Sequence, residues 1–218
     1  MLLILSPSVG AITGVESLTM DITQQLPTDE EQQQTGLVVT MREEWKANGL
    51  AAETMTTPVK VGLFGGRGGT PRDISPSQLP RILEKIEVWS SADGPSSGGA
   101  IMGIRFTYVD TSEKRHIIPS VDGVWGTTND ATRHEFKLAT GTGEYVNKIG
   151  GSIGTAPDGG HGITSLTFNT STGKTATYGD PQNGTAFTLP LVNAGIFAFF
   201  AASNTYLNAV GCYVQPNA

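Results

Sequence analysis

The feature that most constrains the fold is a two-residue hydrophobic repeat that begins near Val59 and continues through the rest of the chain. Within Met102–Tyr108, apolar side chains occupy alternate positions, as they do on one face of a β-strand. The same alternation recurs in His134–Leu138, and turn dipeptides such as Asn183-Gly184 separate the runs. About a dozen short strands fit this pattern, which predicts an all-β sandwich, barrel or prism and argues against an α/β fold.

The composition of the 218 residues narrows the classes of partner. A net charge of -6 argues against a nucleic-acid partner, which normally requires a basic surface. No apolar run reaches the length of a membrane-spanning helix, so we expect no membrane insertion. The apolar start Met1–Leu5 is short and has no basic residue before it, which argues against a standard secretory signal. The sequence does not fix the compartment, but it favours a cytoplasmic or non-classically secreted protein.

The residue types that perform catalysis or bind metals do not form a recognisable set. His116, His134 and His161 lack metal-ligand spacing. The single Cys212 excludes an internal disulfide and a cysteine metal cluster. Gly150–Gly154 has the letters of a Gly-x-Ser-x-Gly sequence, but the all-β pattern around it predicts no strand-to-helix turn of the kind that carries a serine nucleophile. We therefore expect no catalytic residue, no metal and no cofactor, and a protein that is not an enzyme.

Residues 1–58 differ in character from the rest and are predicted to be an N-terminal extension before a main domain at 59–218. Alternation in Leu18–Ile22 predicts a strand. Thr28–Glu31 fits a helix capping box, and the apolar spacing within Val38–Gly49 predicts a short helix. Because the apolar stripe of this helix is narrow, the helix must pack on the main domain or on another copy. The extension is therefore a candidate oligomerisation arm.

Two segments that are far apart in sequence together indicate one kind of protein. Gly62–Gly69 is dense in glycine, which lets a second backbone or a ligand approach where a side chain would block it. Tyr206–Gly211 is predicted to be a strand, and the polar loop Ala202–Thr205 precedes it.

This pair resembles the jacalin-related lectins, in which the two loops meet at one sugar-binding site. Gly62–Gly69 matches the Gly-x-Trp-Gly-Gly-x-Gly-Gly opening of that family, with Phe64 in place of the tryptophan. The resemblance covers about residues 59–216, and its further blocks occur in family order. These blocks are Ile86–Trp89, Ile101–Tyr108, Gly123–Gly126, Glu144–Val146, Ser165–Phe168, Gly184–Pro190 and Tyr206–Val214.

The resemblance implies a β-prism I fold, with three four-stranded Greek-key sheets around a pseudo-threefold axis, here with an N-terminal strand and helix extension. It also implies metal-independent binding of mannose-type or galactose-type sugars and no chemistry on them. Glycans, with mannose-type sugars favoured, are the implied partners, and a homo-oligomer is expected. The positions that match the sugar-binding loops of the family are Gly69, Asn204, Thr205, Tyr206 and Asn208.

Two departures from the family pattern fall inside this site. Asn204 replaces the glycine, and Asn208 the aspartate, of a Gly-x-x-x-Asp loop. An amide oxygen still accepts hydrogen bonds, but losing the charge costs roughly 1 kcal/mol per bond. Tyr206 either stacks on a sugar or packs in the core or at the rim. The loop Asp158–His161 offers a carboxylate for another site or is an ordinary hairpin turn, whereas Gly98–Met102 lacks the aspartate expected of a second site.

Two functions of different classes remain open at this point. In the first, the protein is a lectin that recognises mannose-type glycans. In the second, it is a structural protein that keeps the prism, has lost sugar binding and assembles through residues 1–58. The intact glycine segment Gly62–Gly69 favours the first, and Asn208 favours the second.

Overall fold

The computed structural model describes residues 39–40, 57–94, 97–156 and 158–216. Within these ranges the chain forms fourteen strands and one 3-10 turn, Thr140–Thr142. The strands are β1 Val39–Thr40, β2 Val59–Gly65, β3 Thr70–Arg72, β4 Pro80–Ser90, β5 Ile101–Asp110, β6 Arg115–Ile118, β7 Trp125–Gly126, β8 Thr132–Lys137, β9 Val146–Thr155, β10 His161–Thr170, β11 Thr175–Gly179, β12 Thr185–Val192, β13 Ala194–Ser203 and β14 Leu207–Pro216. No helix in the described part of the chain is long and apolar enough to span a membrane.

The strands pair in three groups of the same design. Each group has a long antiparallel hairpin at its centre: β4 with β5, β9 with β10, and β13 with β14. A third strand lies beside the second strand of the hairpin, and a fourth lies beside the first, giving the orders β8-β4-β5-β6, β12-β9-β10-β11 and β3-β13-β14-β2. This 4-1-2-3 order is a Greek key. The all-β prism that the resemblance implied is therefore confirmed.

One of the three groups is built from both ends of the domain. Its central hairpin, β13 and β14, is the last of the chain, whereas its outer strands, β2 and β3, are the first of the prism. Ala209 pairs with Gly65, and Ser203 pairs with Thr70. The two segments that the sequence analysis singled out are consequently neighbours in one sheet.

The core lies where the inner faces of the three groups meet. Phe106 of β5, Phe168 of β10 and Phe199 of β13 are each fully buried and come one from each group. The Phe199 ring packs edge-on against the other two, with ring centroids 5.3 Å from Phe106 and 6.1 Å from Phe168. Large aromatic rings at the axis bury the most apolar surface per residue, so they fix the three sheets against one another.

The predictions for the N-terminal extension have different outcomes. The strand at Leu18–Ile22 and the capping box at Thr28–Glu31 lie outside the described residues. Within the stretch Val38–Gly49, where a helix was predicted, Val39–Thr40 instead forms β1 and pairs in parallel with Leu191–Val192 of β12. The rest of that stretch lies outside the described residues, and the domain boundary after residue 58 stays a prediction.

Candidate functional site

Three loops meet at one end of the prism: the β2–β3, β9–β10 and β13–β14 loops. The Gly66 N–H donates to the Asn208 carbonyl at 2.9 Å, which ties the β2–β3 loop to β14. A Cβ on Gly66 would lie 2.3 Å from the carbonyl oxygen of His161, where β10 begins. Only glycine fits between these two strands, so the glycine-rich segment is what allows the three loops to approach each other.

Gly69 faces the side chain of Asn208. The Gly69 backbone is left-handed, with φ +81°, and a Cβ there would lie 2.6 Å from Asn208 Oδ1 and 2.8 Å from the Ser203 nitrogen. Both the backbone conformation and the close approach therefore require glycine at this position.

Asn208 is the most informative side chain of the site. It is 5% exposed, and its Oδ1 has no hydrogen-bond partner among the described residues. Leaving a buried acceptor unpaired costs about 1–3 kcal/mol, so such atoms are rare unless they have a functional role. The orphaned oxygen lies on the side of Gly69, within the group of loops that carries the predicted site.

Asn204 links the two loops that carry the predicted site. Its Oδ1 lies 3.2 Å from both the backbone nitrogen and the Oγ1 of Thr70, and both donate to it. Its own N–H donates to the Tyr206 carbonyl at 3.2 Å. Among the described non-glycine residues, those with positive φ do not include Asn204. The loop therefore does not depend on a glycine at this position, and the asparagine adds a bridge between the loops.

Tyr206 is only 8% exposed and packs in a small cluster with Trp89 and Met102. Its ring lies over Gly162, where a Cβ would be 2.7 Å from ring carbons. Burial raises the pKa of Tyr206, and so do the charge and hydrogen bond of Asp158, whereas a hydrogen bond from the side chain of Asn208 lowers it. The ring therefore packs in this buried cluster beneath the loops, and its contact with a sugar stays a prediction.

The internal symmetry shows which of the three equivalent loops can offer such an acceptor. Asn208 is the second residue of the ten-residue strand β14. The second residues of the equivalent ten-residue strands β5 and β10 are Met102 and Gly162, and neither has a side-chain acceptor for sugar hydroxyls. Asp158, which the sequence left between a second site and a hairpin turn, lies in the β9–β10 loop. A Cβ on Gly160 would lie 3.1 Å from its Oδ1 and 2.1 Å from the Tyr206 hydroxyl.

The family model of the jacalin-like lectin domain matches residues 61–213, which include all three loops. The chain belongs to the jacalin-like lectin family. Horcolin from Hordeum vulgare subsp. vulgare is 33% identical over 163 residues, which cover 74% of this chain and 100% of horcolin. Jacalin-related lectin 12 from Arabidopsis thaliana is 30% identical over 164 residues, covering 74% of this chain and 32% of that protein.

The same likeness holds at the level of solved structures. AcmJRL, a mannose-binding jacalin-related lectin from Ananas comosus, is 29% identical to this chain, with a TM-score of 0.60. The match covers 74% of this chain and 99% of AcmJRL. This jacalin-like lectin is therefore a carbohydrate-binding protein and not an enzyme.

The five predicted site residues divide by position. Gly69 and Asn208 face each other, and Asn204 bridges to the neighbouring loop. Thr205 is exposed at the tip, whereas Tyr206 lies beneath. Sequence reasoning did not place Asp158 near Tyr206, because the only signal was a carboxylate in a glycine-rich turn. The roles of the five predicted residues in sugar binding remain predictions. No group of three metal-ligating side chains occurs among the residues that the structure describes.

Proposed function

We propose that this protein is a metal-independent lectin that binds a mannose-type sugar between the β2–β3 loop and the β13–β14 loop. The unpaired, buried Oδ1 of Asn208, facing Gly69, is the observation that carries this proposal. A sugar hydroxyl that donates to this oxygen removes the cost of leaving it unpaired.

The remaining contacts come from the loop backbones. We expect the N–H groups of Gly69 and Thr205 to donate to sugar oxygens. Both lie in loops that glycine packing and the Asn204–Thr70 bridge hold in place, so little conformational entropy is lost on binding. The mannose preference is supported by AcmJRL, the mannose-binding relative at 29% identity.

The absence of a carboxylate at position 208 sets the expected strength of sugar binding. An amide acceptor forms a weaker bond than a carboxylate, by roughly 1 kcal/mol, which corresponds to about a fivefold loss of affinity per bond. Useful affinity for a glycan would then come from several sites acting together.

The test is binding to a broad glycan panel, with free mannose and free galactose as competitors. Asn208→Ala should abolish mannose-inhibitable binding, whereas Asn129→Ala, in the β7–β8 loop at the same end of the prism, should leave it unchanged. Inhibition by galactose alone would refute the mannose preference. Binding that survives Asn208→Ala would move the site to another loop.

A second candidate function, assembly, is supported by the pairing of β1 with β12. Val39–Thr40 adds a parallel strand beside β12, at the outer edge of the β12-β9-β10-β11 sheet, as expected of an arm that docks by strand addition. The arm of one copy could occupy the same edge of another. If the protein binds no glycan of the panel and no free sugar at millimolar concentration, assembly becomes the favoured function.

A further inference from the structure

A pocket of about 380 Å³ lies on the β8-β4-β5-β6 sheet, away from the loops of the proposed sugar site. A row of four residues, one from each strand, crosses the sheet at this pocket. Lys137 of β8 pairs with Lys85 of β4, Lys85 with Thr107 of β5, and Thr107 with Ile117 of β6. All four line the pocket, so one ligand there meets side chains from neighbouring strands.

Thr107 carries a hydroxyl that the protein itself does not pair. It lies between Phe106 and Tyr108, whose side chains are buried in the core, so its own side chain lies on the outer face of the sheet. Thr107 is nevertheless only 5% exposed, and its Oγ1 has no hydrogen-bond partner among the described residues. Buried polar atoms without a partner are rare in native proteins, which makes this hydroxyl a candidate ligand contact.

The internal symmetry of the prism shows why the hydroxyl lacks a partner. Thr107 is the seventh residue of β5, and Thr167 is the seventh residue of the equivalent strand β10. Thr167 Oγ1 lies 2.8 Å from Oγ1 of Thr177, its neighbour on β11. On the first sheet, Ile117 takes the place of Thr177 and offers no polar side-chain atom. The second sheet therefore pairs this hydroxyl within the chain, whereas the first leaves it to the pocket.

The charges around the pocket favour a doubly charged anion. Lys85 and Lys137 are directly opposite each other, and like charges in this arrangement destabilise a sheet. Glu135 contacts both, at 3.5 and 2.8 Å, but the ion pairs around the pocket join five basic side chains to only three acidic ones. Two positive charges are thus unmatched, in a chain whose net charge is -6. The members of these ion pairs are Lys85, Arg105, Arg115, Arg133 and Lys137, with Glu84, Glu87 and Glu135.

We propose that this pocket binds the phosphate group of a small organic phosphate monoester. A monoester carries close to two negative charges at pH 7, which matches the two unmatched positive charges. The Thr107 hydroxyl donates to one phosphate oxygen, and Lys85, Arg115 and Lys137 supply charge-assisted bonds. The side chains of Arg115 and Lys137 are 66% and 72% exposed, so their present ion pairs are weak and exchange readily for a ligand.

The size and lining of the pocket indicate that the phosphate is part of a larger molecule. Its volume falls within the range of about 300–1,000 Å³ that is usual for small-molecule sites. Ile117 and Leu138 add apolar surface beside the basic groups, which suits the carbon atoms of the ligand. This inference does not rest on the proposed sugar site.

The test titrates the full chain with glucose 6-phosphate, inorganic phosphate or glucose at low salt, and follows the backbone amide signals in the ¹⁵N spectrum. Glucose 6-phosphate should shift the signals of the row that contains Lys85 and Thr107 and should bind more tightly than inorganic phosphate. Thr107→Val should weaken this binding about tenfold, since it removes one bond to a charged group. Thr167→Val, the matched control on the second sheet, should bind as the wild type does.

A second measurement needs no ligand. In phosphate-free buffer, Thr107→Val should leave the urea midpoint unchanged or raise it, because its hydroxyl has no bond to lose, whereas Thr167→Val should lower it. A lowered midpoint for Thr107→Val would show that the hydroxyl is already paired and would overturn the inference.

The binding arms can overturn it in three further ways. Shifts of the same row by glucose would show that the phosphate is not what is recognised. Equal affinity for inorganic phosphate would exclude the organic part of the ligand. Equal weakening in Thr107→Val and Thr167→Val, or no shift of the row by glucose 6-phosphate, would remove the site and leave the proposed sugar site standing.

Discussion

Glu87 should stabilise the β8-β4-β5-β6 sheet through its charge, and replacing it with glutamine tests this expectation. It lies in β4 on the face opposite the core, yet it is only 1% exposed because basic side chains cover it. Arg105 donates from Nε to Oε2 at 2.8 Å and from Nη2 to Oε1 at 2.7 Å. Arg133 adds a bond from Nε at 2.9 Å, and Lys85 Nζ lies 3.2 Å from Oε2.

The magnitude follows from the pKa of this carboxyl. Burial by itself raises the pKa of Glu87, but the hydrogen bonds from Arg105, Arg133 and Lys85 outweigh burial and lower it from 4.5 to about 2. Each pKa unit corresponds to about 1.4 kcal/mol, so the ionised carboxylate contributes about 3 kcal/mol to the free energy of unfolding. Because the folded-state pKa is the lower one, this contribution is present above about pH 4.5 and is lost as the pH falls toward 2.

Urea unfolding of Glu87→Gln measures this directly, since urea does not screen charges as guanidinium chloride does. The variant should be about 3 kcal/mol less stable than the wild type at pH 7 and about 1.4 kcal/mol less stable at pH 3. Glu84→Gln is the control, because its two bonds from Arg115, at 2.7 and 2.8 Å, involve a side chain that is 66% exposed. It should cost under about 1 kcal/mol. A Glu87→Gln loss that is no larger than this, or one that does not shrink between pH 5 and pH 3, would refute the reasoning.

Three further predictions concern the proposed site and the arm. Asn208→Asp should raise mannose affinity about fivefold in calorimetry by restoring a charged acceptor, and unchanged affinity would count against Asn208 as the acceptor. Gly69→Ala should abolish mannose binding. Gly68→Ala should retain it, because Gly68 also has a positive φ but a Cβ there would meet no neighbouring atom. Equal loss in both variants would mean that backbone strain alone is responsible. Deleting residues 1–56 should leave the thermal transition of the prism in place and lower the number of chains per particle determined by light scattering. An unchanged number of chains would exclude the arm as an oligomerisation element.

The strands were predictable because their signal is local. Alternate residues of a strand point to opposite faces, so a half-buried strand shows a period of two whatever lies beside it. The face Met102, Ile104, Phe106 and Tyr108 is buried in β5 as this rule expects. Glycine signals were less specific. The pair Gly150-Gly151 lies within β9 and not in a loop, and Gly151 lets the backbone of Ser165 approach closely.

The parts of the site that escaped prediction depend on contacts between distant segments. Asp158 precedes Tyr206 by almost fifty residues, and the close packing at Gly160 brings them near each other. The bridge from Asn204 to Thr70 likewise spans 134 positions. In the sequence, Asn204 replaces a family glycine, a residue that readily adopts the left-handed backbone conformation. In the structure, the backbone of Asn204 is not left-handed, and its side chain bonds to Thr70.

The threefold repeat of the fold bears on how strongly this lectin can bind. Equivalent hairpins present Asn208, Met102 and Gly162 at matching positions, so only one of the three offers a side-chain acceptor. If this position carries the sugar site, a single neutral acceptor per prism favours weak binding of a single sugar. Affinity for a glycan surface would then depend on how many chains are linked, since each added site converts a separate encounter into an intramolecular one. The N-terminal arm, which includes β1, and the proposed sugar site between the β2–β3 and β13–β14 loops would then serve one function. Assembly through the arm would supply the avidity that a single site with Asn208 lacks.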